Sequence, residues 1–164
     1  MLTVDVVLLA TVLFAAVTDL LERRIYNALT LPVIVLGVVF HAVAHPAGAW
    51  WEGLAGLAAV GVPFFLFHAI YPAGFGAGDV KLLMAIGAVG GVRIGLSIAV
   101  VSVIINGGFS LIALIANGRL GDVFYMLTKR PTRNPVMIPY GLAIALAAVG
   151  VLATLSSLPR TELQ

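Results

Sequence analysis

Long uncharged stretches separated by short charged clusters dominate the chain. Four runs without Asp, Glu, Lys or Arg cover residues 25–51, 53–78, 94–118 and 134–159, and each contains 25 to 27 residues. About 20 consecutive apolar residues cross a bilayer as an α-helix, so each run is long enough to form a transmembrane helix. The pattern predicts an all-α polytopic membrane protein.

The runs divide into six predicted transmembrane helices within one membrane-embedded domain, residues 1–164. Helix 1 ends at Asp19, and the sequence Gly-Gly-Val-Arg at 90–93 divides the stretch from 80 to 117 into a short fourth helix and a full fifth one. The predicted spans are approximately 2–19, 29–44, 51–70, 79–91, 94–117 and 137–158. Gly87, Gly91 and Gly95 recur at four-residue steps, which indicates close helix packing.

The segment from 119 to 134 is the one sizeable loop between the predicted spans. Its apolar residues follow the spacing of one helical face: Leu120, Val123, Phe124 and Leu127. This spacing predicts a cytoplasmic interfacial helix on the inner leaflet, with basic residues near the lipid headgroups. An ordinary connecting loop is the alternative.

Composition strengthens the membrane interpretation. Apolar residues make up 62% of the chain and charged residues 10%, with a mean hydropathy of +1.14. These values exclude a soluble enzyme and a disordered protein. The net charge of +2 is too small to indicate a nucleic-acid partner. The chain lacks cysteine, and His41 and His45 have only Glu52 as a further metal ligand, so no metal or cofactor is expected.

Basic residues are distributed unequally between the two sides that six crossings define. One side receives seven of them: Arg23, Arg24, Lys81, Arg119, Lys129, Arg130 and Arg133. The other side receives two, Arg93 and Arg160. Cytoplasmic loops carry the excess of positive charge, so the first side is predicted to be cytoplasmic, with both termini outside and the chain in the cytoplasmic (inner) membrane.

Two carboxylates at the ends of predicted spans are the main candidates for chemistry. Asp19 ends helix 1 and Asp79 begins helix 4. The crossings between them are even in number, so both lie on the same side whatever the orientation. Carboxylates at this depth are costly and usually face a cavity or a partner. A structural role as a helix cap is the alternative for Asp79 alone.

Alternating glycines precede Asp79: Gly74, Gly76 and Gly78. Glycine allows backbone conformations closed to other residues and removes side chains that would block a close approach. The loop is therefore predicted to hold an extended peptide. Lys81, one turn into helix 4, is expected to extend its ammonium group to the interface.

Two carboxylates that converge in a partly dehydrated site tend to share one proton and to titrate as a unit. This state provides one base to activate a water molecule and one acid to protonate the carbonyl oxygen or the leaving amine. The pattern predicts peptide hydrolysis without a covalent intermediate and without a metal.

The motifs around both carboxylates resemble those of the type IV prepilin peptidases, which are GxGD-type intramembrane aspartyl proteases. Gly-Ala-Gly-Asp-Val-Lys-Leu at 76–82 is similar to the signature Gly-x-Gly-Asp-Val-Lys-Leu. Asp-Leu-Leu-Glu-Arg-Arg-Ile-Tyr-Asn at 19–27 resembles the other motif, although Tyr26 stands where the family usually has Pro. Ile-Pro-Tyr-Gly at 138–141 is similar to the start of the family's last helix.

The resemblance implies an aspartic-type endopeptidase whose catalytic residues are Asp19 and Asp79. The remaining site residues would be those of the substrate loop and two supporting residues, Gly74, Gly76, Gly78, Asn27 and Lys81. The implied partners are the lipid bilayer and a substrate, the precursor of a type IV pilin or pseudopilin, cut after a short basic cytoplasmic leader. Glu22 and Asp122 are candidates to attract that leader, with a solvated surface role as the alternative.

Larger members of the family also methylate the new N-terminus and carry paired CxxC motifs. The absence of cysteine predicts the short, peptidase-only form, as in tight-adherence (Flp) pilus systems or archaeal prepilin and preflagellin peptidases. A proton- or cation-coupled carrier that uses both aspartates is one alternative, although its usual inverted repeats and paired interrupted helices are not evident. A non-catalytic subunit of a secretion or pilus complex is another.

Overall fold

The computed structural model describes residues 2–44, 48–71, 76–118 and 140–157. These residues form five α-helices: α1 (Leu2–Glu22), α2 (Asn27–Ala44), α3 (Glu52–Ile70), α4 (Ala77–Ala116) and α5 (Tyr140–Ser157). All five are long and apolar enough to cross a membrane. The predicted all-α class is confirmed. The predicted interfacial helix at 119–134 lies outside the described residues.

Helix α1 extends further than predicted. It continues through Asp19 to Glu22, because Leu-Leu-Glu at 20–22 contains no helix breaker. Arg23 follows the last helical residue: its φ of 52° is left-handed, and its backbone N–H donates to the carbonyl oxygen of Asp19 at 2.9 Å. Asp19 therefore lies inside the last turn, where the neighbouring turns fix its direction.

The fourth and fifth predicted helices follow one another without a loop, as two helical parts of α4 that meet at Gly91, and six separate spans are not confirmed. Within α4 only Gly91 has non-helical dihedral angles, with φ 71° and ψ −173°. Helical geometry resumes at Val92, because a single glycine supplies the whole change of direction and no four-residue break is needed. We call residues 77–90 the first arm of α4 and residues 92–116 the second arm.

The two arms of α4 are folded against each other. A Cβ atom added to Gly95 would lie 2.8 Å from the Cα atom of Gly87. In a straight helix these residues would stand about 12 Å apart along the axis. The chain therefore reverses sharply at Gly91.

Glycines also bring α3 against the first arm of α4. A Cβ atom on Gly53 would lie 3.1 Å from the carbonyl oxygen of Ala88, and one on Gly56 would lie 2.6 Å from the carbonyl carbon of Gly91. Backbones this close leave no space for larger side chains, as in other membrane helix pairs packed through small residues. Gly87 and Gly95 of the glycine repeat thus pack closely, as predicted, whereas Gly91 forms the reversal.

Polar side chains from α2 and α3 surround the reversal at Gly91. His41 is buried, and its Nε2 donates to the carbonyl oxygen of Val89 at 3.1 Å. The Glu52 carboxylate packs against Gly91, with Oε2 2.9 Å from where a Cβ would stand. A helix break frees carbonyl groups that the bilayer cannot hydrate, and His41 supplies a donor there. His45 lies outside the described residues.

The apolar core is formed by α1, both arms of α4, and α5, with a smaller contribution from α3. Its fully buried side chains include Leu8, Val12, Leu83, Ile98 and Ile144. Helices α2 and α3 carry large exposed apolar side chains over much of their length. Since lipid solvates such side chains, these two helices have the surface expected of the bundle's membrane-facing side.

Replacement of Gly91 by alanine should destabilise the fold. The observed dihedral angles lie in a region that is nearly exclusive to glycine, and the new Cβ would also meet Glu52, so the cost should be roughly 1–3 kcal/mol of unfolding free energy. Thermal unfolding in detergent measures it. Gly107→Ala in the same element is the control, because nothing lies within 4 Å of its Cβ position. Equal stability of the two variants would contradict the strained reversal.

Candidate active site

One cavity joins the end of α1 to the start of α4. Its volume is about 460 Å³. Ten residues line it: Asp19, Arg23, Arg24, Ile25, Tyr26, Asn27, Gly76, Ala77, Gly78 and Asp79. The structure thus brings the two predicted catalytic carboxylates to a single cavity, although they lie on different helices.

Asp19 is held by a backbone donor from the far end of the chain. Its side chain is 9% exposed, and Oδ2 accepts a hydrogen bond of 2.8 Å from the backbone N–H of Gly141. Gly141 is the second residue of α5, where a helix has backbone N–H groups without intrahelical acceptors. Gly141 was not among the predicted site residues. The Ile-Pro-Tyr-Gly motif at 138–141 is the sequence signal that could have indicated it.

Asp79 is both a helix cap and a cavity residue. It is the third residue of α4, and its Oδ2 accepts a hydrogen bond of 3.0 Å from the backbone N–H of Gly76. This contact is half of a capping box. A carboxylate has lone pairs for several donors, so the cap leaves acceptor capacity toward the cavity. The structural and chemical interpretations of Asp79 are therefore compatible.

The surroundings of Asp79 include groups from three other helices. Asp19 of α1 is close enough for the two carboxylates to repel each other electrostatically. His68, in the last turn of α3, and Tyr140, the first residue of α5, also lie within electrostatic range of Asp79. His68 and Tyr140 are not among the ten residues that line the cavity, and the sequence motifs did not indicate that they lie near Asp79. Their proximity follows from helix packing, which sequence spacing does not reveal.

The two described glycines of the predicted substrate loop, Gly76 and Gly78, allow neighbouring side chains to approach the backbone closely. A Cβ on Gly76 would lie 2.9 Å from Asp79 Oδ2, and one on Gly78 would lie 3.0 Å from the Cβ of Ile25. Neither glycine has a positive φ. The small size of these two glycines, rather than their conformational freedom, permits the close contacts with Asp79 and Ile25. Gly74 lies outside the described residues.

The two predicted supporting residues bind each other. Lys81 Nζ donates to Asn27 Oδ1 at 2.8 Å, which ties the first turns of α4 and α2 together. The ammonium group of Lys81 thus ends on a specific acceptor at an exposed position. This bond holds the turn between α1 and α2 against the mouth of the cavity.

Tyr26 occupies the position where the resemblance led us to expect proline. Its hydroxyl donates to the Glu22 carboxylate, and its carbonyl oxygen accepts the backbone N–H groups of Leu29 and Thr30 at 3.1 and 3.2 Å. The hydrogen bond and the negative charge of Glu22 raise the pKa of Tyr26 above its usual value. These contacts fix the turn without proline. They also engage Glu22, one of the two candidates for binding a basic leader; Asp122 lies outside the described residues.

Fold and cavity together define a multi-pass helical membrane protein with two carboxylates at one opening. A family model described as the type IV leader peptidase family matches residues 6–112, about two thirds of the chain. The chain belongs to that family, and membership implies a peptidase with a precursor substrate. No curated protein and no solved structure matches the chain significantly.

The bond between Asn27 and Lys81 should appear as thermodynamic coupling. Asn27→Ala and Lys81→Met should each lower the unfolding free energy by about 0.5–1.5 kcal/mol, and the double variant should lose no more than the larger single loss. Thermal unfolding of the four proteins measures the coupling. Asn27→Ala combined with Arg93→Met, beyond the reversal in α4, should instead be additive. Additive losses for Asn27 and Lys81 would show that the bond contributes nothing.

Proposed function

We propose that the protein is an aspartyl endopeptidase of the cytoplasmic membrane that removes the short basic leader of type IV prepilin or pseudopilin precursors. The observation that carries the proposal is the convergence of Asp19 and Asp79 on one cavity. Family membership supports the peptidase activity. The proposed form lacks N-methylation activity, because the chain has no cysteine for the paired CxxC motifs of the two-activity members.

The proposed mechanism is general acid–base hydrolysis. One carboxylate accepts a proton from a water molecule while the water oxygen attacks the scissile carbonyl carbon. The other carboxylate protonates the carbonyl oxygen. Collapse of the tetrahedral intermediate breaks the C–N bond, and a proton passes to the leaving amine. Because water is the nucleophile, no covalent enzyme intermediate forms.

The cavity lies at a suitable level for cutting between a polar leader and an apolar helix. Asp19 stands about 26 Å along α1 from Leu2, near the boundary of a hydrocarbon core of about 30 Å. Peptide bonds inside a helix are hydrogen-bonded, so the substrate must be extended where it is cut. Gly76 and Gly78 line the cavity beside Asp79, and the proposal places the extended substrate segment along them.

The proposed topology has six crossings with both termini outside the cytoplasm. The reversal at Gly91 supports two crossings by α4, because its arms pack against each other. The excess of basic residues beside the cavity supports a cytoplasmic active site. The leader of a precursor would then meet the enzyme on the side where the precursor is made.

Asp19→Asn and Asp79→Asn should each abolish cleavage of a candidate precursor by purified protein. Asparagine keeps an oxygen that can accept the N–H of Gly141 or Gly76 but cannot exchange the catalytic proton. Each rate should fall roughly a hundredfold or more, and the double variant should be no slower, because the pair acts as a unit. Gel-based cleavage assays at several pH values measure the rates.

Asp5→Asn is the matched control for these variants. Asp5 lies on the same helix as Asp19 but about 21 Å away along its axis, so its variant should cleave at the wild-type rate. Substantial cleavage by either active-site variant would exclude the aspartyl mechanism. Inhibition by a chelator that zinc reverses would also contradict it. Normal pilus assembly with both aspartates replaced would favour a scaffold subunit.

Single cysteines test the topology, since the wild-type chain contains none. Arg23→Cys and Arg160→Cys should label with a membrane-impermeant maleimide from opposite sides, Arg160→Cys in intact cells and Arg23→Cys only in inverted vesicles. The cysteine-free wild type is the background control. Labelling of both variants from the same side would exclude the six-crossing topology.

A further inference from the structure

We propose that Gly141 is a positioning residue for the cleavage reaction, and that the first turn of α5 fixes the direction of the Asp19 carboxylate. The inference rests on the proposed function, because it assigns Asp19 a catalytic role. It adds a third element to a site that the sequence motifs place on α1 and α4 alone.

The contact between Gly141 and Asp19 has the features of a fixed, specific bond. Its length is 2.8 Å, it is buried, and it joins residues 122 positions apart in sequence. Hydrogen bonds to an ionised carboxylate are shorter and about twice as strong as bonds between neutral groups. Because Oδ2 is engaged by Gly141, the bond leaves Oδ1 for water or substrate in the cavity.

Gly141 must also lack a side chain. A Cβ atom there would lie 2.8 Å from Oδ2, 3.0 Å from Cβ and 3.2 Å from Cγ of Asp19. All three distances are shorter than ordinary van der Waals contacts. Asp19 is enclosed in the last turn of α1, so an alanine at position 141 would displace the carboxylate itself.

A second buried hydrogen bond holds the turn that carries Gly141. The hydroxyl groups of Tyr140 and Ser102 lie 3.0 Å apart, and Ser102 Oγ lies 2.8 Å from the carbonyl oxygen of Ala99. Ser102 is fully buried and Tyr140 is 6% exposed. Serine donates to Ala99, so Tyr140 donates to serine. This chain of bonds anchors the start of α5 to the second arm of α4.

The two carboxylates therefore differ in how they are held. Asp79 accepts its backbone N–H from Gly76, three residues earlier in the same segment. Asp19 accepts its backbone N–H from a helix that must first dock against α1 and α4. Small displacements of a catalytic group lower turnover strongly. The docking of α5 should therefore affect the rate of the chemical step more than it affects the binding of substrate.

Steady-state cleavage of a prepilin precursor by Gly141→Ala tests the inference. The kcat should fall roughly tenfold to a hundredfold, the size expected for a lost hydrogen bond to a charged group, while KM stays within about twofold. Gly150→Ala is the matched control on the same helix, because nothing lies within 4 Å of its Cβ position. It should keep the wild-type kcat and KM.

Three results would overturn the inference: a wild-type kcat in Gly141→Ala, an equal loss in Gly150→Ala, or an effect confined to KM. A wild-type protein that leaves the precursor uncut, or an active Asp19→Asn variant, would instead reject the proposed function. Normal cleavage by Gly141→Ala beside an inactive Asp19→Asn would reject the inference alone.

If Gly141→Ala does not fold, Tyr140→Phe and Ser102→Ala test the same inference. Each removes one hydroxyl and keeps the packing of the side chain. Each should lower kcat about threefold to tenfold with KM unchanged, and the double variant should lose no more than either single variant, since both remove the same bond. Wild-type kcat in both single variants, or losses that multiply, would contradict the anchoring role.

Discussion

A carboxylate at the edge of an apolar bundle must meet hydrogen-bond donors or water, because the desolvation of an unpaired charge is costly. Both candidate catalytic residues meet this requirement through backbone N–H groups of glycines: Gly141 for Asp19 and Gly76 for Asp79. At both positions a side chain would intrude on the carboxylate. The composition of the site, with two acids each beside a glycine, follows from this single constraint.

Close approach through glycine also shapes the rest of the bundle. Gly56 and Gly87 let the backbones of α3 and α4 touch, and Gly91 lets α4 turn back within one residue. The turn exposes backbone that the bilayer cannot hydrate, and His41 supplies a donor to Val89 there. The buried His41 thus has a structural role that follows from the helix geometry.

The two acids of the site are held by different parts of the chain. Asp79 is fixed by the cap of its own helix, and Asp19 by the docking of α5. The bond between Asn27 and Lys81 and the contacts of Tyr26 hold the turn that forms the outer wall.

The sequence alone determined the number and position of the apolar stretches, the shared side of Asp19 and Asp79, and the family motifs around them. These depend on local composition and on counting crossings. The sequence alone did not reveal that Gly141, Ser102 and Tyr140 are neighbours of the site. It also did not reveal that one residue suffices to reverse α4. Such contacts depend on the rotation and depth of each helix. Rotation and depth are decided by which small residues allow backbones to approach, and this happens only when the whole bundle has packed.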